Sequence, residues 1–322
     1  MTASGTGPVI VVAGPTASGK SALAMEIAEA FRGVVINADS MQVYADLRVL
    51  TARPSEAEER RVPHRLYGVL DGDEKCSAGR WRELALAEIA RAQASGLLPV
   101  LCGGTGLYLQ TLMRGIAPVP AVPAHFRAAA TALHAQLGGP GFHARLAERD
   151  PVMAARLHPG NTQRLIRAWE VLEATGRSLA EWQEAPRTGA ATGLDFLSFT
   201  LLPARDALYA ACDGRLMQMV EAGALEEVRA LVARGLDPAL PVMKALGVRE
   251  LAAHIAGELT LEDAIDRAQR ETRRYAKRQM TWFRHQMVDA MRIETGYGAK
   301  YSTSPRDEIF SKIRQSGLTA RV

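Results

Sequence analysis

The sequence predicts an α/β fold: helices cover a parallel sheet, a helical insertion interrupts it, and a helical C-terminal part follows. Three observations carry this reading. Residues 14–21, GPTASGKS, have the spacing G-x-x-x-x-G-K-[ST] of a loop that grips phosphate, directly after a short apolar run. Runs of that kind then alternate with stretches of helical period, as they do where strands run in one direction under covering helices. From residue 118 the alternation stops, and helical segments alone fill the chain to about residue 190. The core is therefore expected to be P-loop NTPase-like.

Residues 9–13 (VIVVA) read as a buried strand ended by Gly14. The helix after the loop spans 20–31, with Leu23, Ile27 and Ala30 at helical spacing. A second strand is expected at 34–37, a helix at 78–94 and a third strand at 97–102. Each strand ends in a polar or glycine-bearing loop: GPTASGKS, ADSMQVY and GGTGLY. Sites in parallel sheets lie beyond the carboxyl ends of the strands, so these three loops are expected to build it. APVPAVPAHF (117–126) is a proline-rich hinge, and 124–184 reads as helices broken at GGPG and HPGN. Strand character returns at 194–202, followed by helical stretches at 206–233, closed by Gly235, and at 261–292. In the last, Ile265, Ala268, Tyr275, Phe283 and Met287 mark a packing face. The expected organisation is a core in two parts, 1–117 and 191–294, around an insertion at 118–190. A loosely ordered tail at 295–322 ends the chain, with a short helix near 309–313.

No apolar run approaches the ~18 residues that cross a bilayer, and no secretory start is visible, so a cytoplasmic enzyme is expected. Cys76, Cys102 and Cys212 lie far apart, fit no zinc spacing and read as reduced thiols. No interface stripe stands out, which predicts a monomer without an obligate protein partner. The net charge of +4 is unevenly placed. Between Arg267 and Arg284 seven basic residues face Glu271 alone, so this stretch carries +6 and the remainder about −2. Such a concentration suits a polyanion, or a solvated helix face.

The chemistry sits in the loops. Backbone N–H groups of Gly14, Pro15 onward through Thr16, Ala17, Ser18 and Gly19 are expected to wrap a diphosphate (Pro15 contributing shape alone), with Lys20 on the terminal phosphate and Ser21 on Mg²⁺. Asp39, just past a strand, is either a helix N-cap or a carboxylate facing the phosphate as metal ligand or general base. Thr105 in GGTGLYL brings a hydroxyl to the third strand's end. Leu208, Cys212, Arg215 and Met219 share one helix face, so Arg215 needs an anion, either a structural carboxylate or the phosphate itself. No D-D-x-x-D motif occurs, and DGD at 71–73 is too short to hold a diphosphate through metal. A P-loop small-molecule kinase and an RNA-dependent NTPase remain alternatives on these residues.

GPTASGKS, INADSMQVY, GGTGLYL, HPGNTQRLIRAWEVLEATG, MVEAGALEEVRAL and YAKRQMTWFR together resemble the tRNA dimethylallyltransferases, in order and spacing, over about 9–285. The resemblance implies transfer of a dimethylallyl group from dimethylallyl diphosphate to N6 of the adenosine beside the anticodon, tRNA position 37, in tRNAs reading U-initial codons. An adenylate isopentenyltransferase shares the first three loops. In this reading the loop holds the leaving diphosphate with Mg²⁺, Lys20 and Arg215 stabilise its charge, Thr16 touches substrate and Asp39 is the base. Asp39, Ser40, Met41, Gln42 and Thr105 would meet the target nucleotide. Arg127, Gln163, Arg164, Leu165, Ile166 and Arg167, then Lys277, Arg278, Gln279, Trp282 and Arg284, would contact the tRNA anticodon stem-loop. The chain departs from the family pattern at Ser21, Gly160, Asn161, Ala211 and Val248.

Overall fold

The computed structural model describes residues 8–294 and 304–318. They form two compact units: 1–113 with 191–322, and 114–190.

The first unit is a six-stranded sheet with helices on both faces. In chain order come β1 (Val9–Ala13), α1 (Lys20–Ala30), β2 (Gly33–Asn37), α2 (Glu56–Arg61), β3 (His64–Arg65), α3 (Ala78–Ala94), β4 (Leu98–Gly103) and α4 (Gly106–Arg114). The second unit contributes α5 (Ala124–Arg149), α6 (Pro151–Ala155), α7 (Thr162–Thr175) and α8 (Leu179–Glu184). The chain then returns through β5 (Phe196–Leu201), α9 (Arg205–Glu221), α10 (Ala224–Ala233), α11 (Val248–Ile255), α12 (Leu261–Gln286), β6 (Met291–Ile293) and α13 (Ser304–Ile313).

The strands lie in the order β3-β2-β4-β1-β5-β6, and every pairing is parallel. β1 is buried along its whole length, which is why VIVVA carries no polar alternation. Val9, Val11 and Ala13 face a cluster with Trp81 of α3, Leu208 of α9 and Phe283 of α12; Ile10 and Val12 face Leu23 and Ile27 of α1 and Phe310 of α13. Each such side chain contributes roughly 1.5–3 kcal/mol of burial. Among the described residues no helix is long and apolar enough to cross a membrane.

The helical stretch 206–233 is two helices, because Gly223 adopts φ 102° and breaks the path between α9 and α10. The stretch 261–292 ends as helix at Gln286, and its last residues form β6, an edge strand pairing with β5 through Phe199–Met291 to Leu201–Ile293. The short elements α2, β3, α4 and α11 were not anticipated. In the second unit the expected break at GGPG is present: Gly138 (φ 66°) leaves the helical path and divides α5 into two helical parts, and α7 buries Leu165, Trp169 and Leu172 against Phe142 and Leu146. Of the expected loose tail at 295–322, residues 304–313 form α13, which contains the short helix expected near 309–313, while 295–303 and 319–322 lie outside the described residues.

Candidate active site

β4 lies between β2 and β1, so the loop after β1 and the loop after β2 face each other across the end of β4. Two strand spacings, about 9–10 Å, separate them. A substrate-sized cleft follows from that strand order.

The phosphate-gripping loop turns through positive φ at Gly14 (155°), Ala17 (60°) and Gly19 (85°). A Cβ at Gly14 would lie 2.8 Å from the carbonyl oxygen of Leu201, so glycine is required there. Gly19 caps α1 without a side-chain hydrogen bond, leaving the helix's first N–H groups for an anion. Ser18 is buried and its hydroxyl has no protein partner, as expected of a group that awaits ligand oxygen. Lys20 folds back, Nζ donating to the Pro15 carbonyl at 3.2 Å. Burial pulls its pKa below the ordinary lysine value; Cys102 and Asp39 raise it and Arg215 lowers it further. Ser21 is exposed at the first turn of α1. One expectation changes: the Thr16 N–H does not join the phosphate wrap, because it donates to Gln279 Oε1 at 2.9 Å.

Asp39 does not cap a helix. Its Oδ1 accepts the N–H of Met41 at 2.9 Å in a short turn. Buried Asn37 holds it from below: Nδ2 donates to the Asp39 carbonyl at 3.0 Å, and Oδ1 accepts the Asp39 N–H at 2.8 Å. Thr105 Oγ1 accepts the Ser40 N–H at 2.9 Å and donates to Ser40 Oγ at 3.2 Å, which ties the β2 loop to the β4 loop. Gln42 donates to the carbonyls of Thr51 and Ala52, so its amide nitrogen shapes the neighbouring loop rather than facing outward. Glu227 of α10 fastens the same loop, accepting the N–H groups of Arg48, Val49 and Leu50 at 2.8–3.0 Å.

These loops enclose a cavity of about 310 Å³. Thr16, Asp39, Arg215, Lys244 and Arg278 give it polar and cationic lining; Met41, Leu50, Met219 and Leu246 give it an apolar wall. Arg215 has no carboxylate within ion-pair distance among the described residues, and burial lowers its pKa. The structural-carboxylate alternative therefore fails: the cation that completes no pair inside the protein faces the cavity. Tyr275, expected in the packing face of α12, instead lines the cavity with Arg278 over its ring. Burial raises the pKa of its hydroxyl.

The residues expected to meet RNA divide. Lys277, Arg278 and Arg284 are exposed on α12, and Trp282 is half-buried across Gly106. Gln279, between them, is 6% exposed and is not available to RNA. In the second unit Gln163 and Arg164 are exposed in the first turn of α7, while Leu165 and Ile166 are buried packing residues. The period of α7 turns those two inward, so no RNA contact falls to them. Arg127 and Arg167 flank buried Glu170 at 3.5 and 2.6 Å, with their guanidinium groups still partly exposed. Asn37, Glu227, Lys244 and Tyr275 were not singled out for the site. A lone asparagine ending the apolar run VVIN was the available signal for the first; the others carry none.

A family model described as IPP transferase matches residues 42–286. The chain is 61% identical over 291 residues to a tRNA dimethylallyltransferase of Rhodospirillum centenum, covering 90% of this chain and 93% of that one. It is 55% identical over 320 residues to a tRNA dimethylallyltransferase of Paramagnetospirillum magneticum, covering 99% and 100%. Among solved structures, a full-length tRNA isopentenylpyrophosphate transferase from Bacillus halodurans matches with TM-score 0.69 at 32% identity, over 96% of both chains. A eukaryotic dimethylallyltransferase acting on tRNA matches with TM-score 0.81 at 26% identity, over 98% of this chain and 80% of that one.

Proposed function

The chain belongs to the IPP transferase family, and from that membership we propose that it is a tRNA dimethylallyltransferase. It moves the dimethylallyl group of dimethylallyl diphosphate to N6 of the adenosine at tRNA position 37, in tRNAs that read U-initial codons. The observation that carries the reading is the lining of one cavity by Asp39, Thr16 of the phosphate loop and the unpaired Arg215. A carboxylate and a cation without a carboxylate partner thus face one space, as nitrogen alkylation with an anionic leaving group requires. The kinase and adenylate-transferase alternatives find no support in the relatives' names.

The adenosine N6 attacks the allylic carbon as the carbon–oxygen bond to diphosphate breaks. Asp39 accepts the N6 proton, its orientation set by Asn37 and the Met41 N–H. Lys20, Arg215 and the N-terminus of α1 stabilise charge growing on the departing oxygen. The adenosine has to leave its stack to reach Asp39, with Ser40, Met41 and Thr105 beside it.

Among the described residues no cluster of three or more His, Cys, Asp or Glu suits a metal ion. The exposed Ser21 hydroxyl at the start of α1 would be the protein ligand to Mg²⁺ held chiefly by diphosphate oxygens. Bound there, the ion would neutralise charge on the leaving group. Arg127, Gln163, Arg164 and Arg167 on the second unit, and Lys277, Arg278, Trp282 and Arg284 on α12, are the proposed tRNA contacts. A monomeric, cytoplasmic enzyme accords with a tRNA substrate.

The test is incubation with Mg²⁺, dimethylallyl diphosphate and an unmodified anticodon stem-loop, followed by nucleoside mass spectrometry. Dimethylallyl-adenosine is the expected product. Phosphate release from ATP at a comparable rate, without that nucleoside, would overturn the reading.

A further inference from the structure

Gln279 sits in the most cationic segment of the chain, between exposed Arg278 and buried Met280. It is 6% exposed, and both ends of its amide are engaged across the sheet unit. Oε1 accepts the Thr16 N–H at 2.9 Å, and Nε2 donates to the Gly104 carbonyl at 2.9 Å. A Cβ on Gly104 would collide with that Nε2 and approach the Gly14 carbonyl oxygen at 3.2 Å. One side chain of α12 therefore bridges the phosphate loop and the loop after β4.

From this bridge we propose that Gln279 is a positioning residue: it fixes the phosphate loop against β4 and makes capture of the diphosphate depend on where α12 stands. The identity of the anion rests on the functional reading above; the bridge itself does not. The loop has few other supports. Its Ser18 hydroxyl has no partner, and Lys20 binds a carbonyl of the loop itself. A hydrogen bond of 2.9 Å is lost once the atoms part by more than about 0.6 Å. A shift of that size in α12, whose neighbouring residues Lys277 and Arg278 are exposed, would release the Thr16 N–H.

The experiment compares the protein with Gln279→Met, Gly104→Ala and the double variant. Calorimetry measures affinity for inorganic diphosphate and for an anticodon stem-loop RNA; steady-state assays measure transfer; thermal melts check cooperative folding. Loss of the bridge should raise the diphosphate Kd and the donor KM about tenfold. It should leave RNA Kd within about twofold and kcat at saturating donor within about threefold. The double variant should be no worse than the worse single one, because both changes cut the same bridge. Weakened RNA binding with unchanged diphosphate affinity, or effects that multiply in the double variant, would overturn the proposal. If the unaltered protein transfers no dimethylallyl group yet its diphosphate affinity depends on the bridge, the functional reading falls and this inference stands. If it transfers the group and the variants bind diphosphate normally, this inference falls alone.

Discussion

Asn37 grips the peptide unit of Asp39 from both sides, donating to its carbonyl at 3.0 Å and accepting its N–H at 2.8 Å. Asn37 also donates to the Leu66 carbonyl, and its own carbonyl accepts the indole N–H of Trp81. The proposed base thus stands on a fully buried, hydrogen-bonded foundation.

Asn37→Ala should slow single-turnover transfer by about 10–100-fold and cost about 1–3 kcal/mol of stability through the carbonyls and N–H it leaves unpaired. Quench-flow and denaturant melts measure both. A full transfer rate in a destabilised protein would show that Asp39 does not need this support.

Asp39→Asn keeps an acceptor for the Met41 N–H while removing the basic oxygen pair. Transfer should fall by roughly 10²–10⁴-fold with RNA affinity near normal. An unchanged single-turnover rate would remove Asp39 from the chemistry.

Lys20 has a pKa depressed by burial, so its neutral form is the one the fold favours. The stability this contributes is present above the unfolded pKa, ~10.4, and is lost as pH falls through the folded pKa. At neutral pH the charged amine therefore weighs against folding. Lys20→Met should raise the melting temperature while abolishing donor binding. In the unaltered enzyme, kcat/KM for the donor should fall on the alkaline side below pH ~10.4. A lower melting temperature for Lys20→Met would contradict the sign.

Cys102 and Cys212 are buried, and burial raises each thiol to about 11. Their protonated forms stabilise the fold fully below the unfolded pKa of ~8.5, and that contribution is lost as pH rises towards the folded value. Iodoacetamide at pH ~7.5 should leave both intact in the native protein and modify them after unfolding. Peptide mass spectrometry reads the outcome, and rapid native modification would refute it.

Lys277→Ala should weaken stem-loop binding and reduce the slope of log K against log salt by about 0.7–0.9 without changing donor affinity. An unaltered slope would return Lys277 to an ordinary solvated face. By contrast, Arg273 is bound to Asp213 at 2.6–2.7 Å, so its removal should act mainly on stability.

Much of the α/β core could be read directly. β1, α1 and α3 follow from β-branched runs, helical spacing and a glycine loop, since burial on both faces leaves little room for polar residues. β6 escaped because three residues at a sheet edge give no periodicity, and the division at Gly223 because a glycine within a helical pattern is often tolerated. In the site, Asp39, Lys20 and Arg215 were visible as charges at strand ends or on an apolar face. Tyr275 and Gln279 were misassigned for a common reason. A helix presents the same pattern whether its inner face meets a packed core, a cavity or another loop's backbone, and only tertiary structure tells these apart.

The carbonyl of Leu112 accepts the N–H of Ala191 at 3.1 Å, joining the points where the chain departs from the sheet unit and comes back to it. Everything between them is an excursion whose ends are already spliced. A linker of a few residues could heal the gap at little entropic penalty, leaving the donor pocket intact in a miniature protein. Such a miniature would offer a chassis onto which other nucleotide-grasping modules could be transplanted.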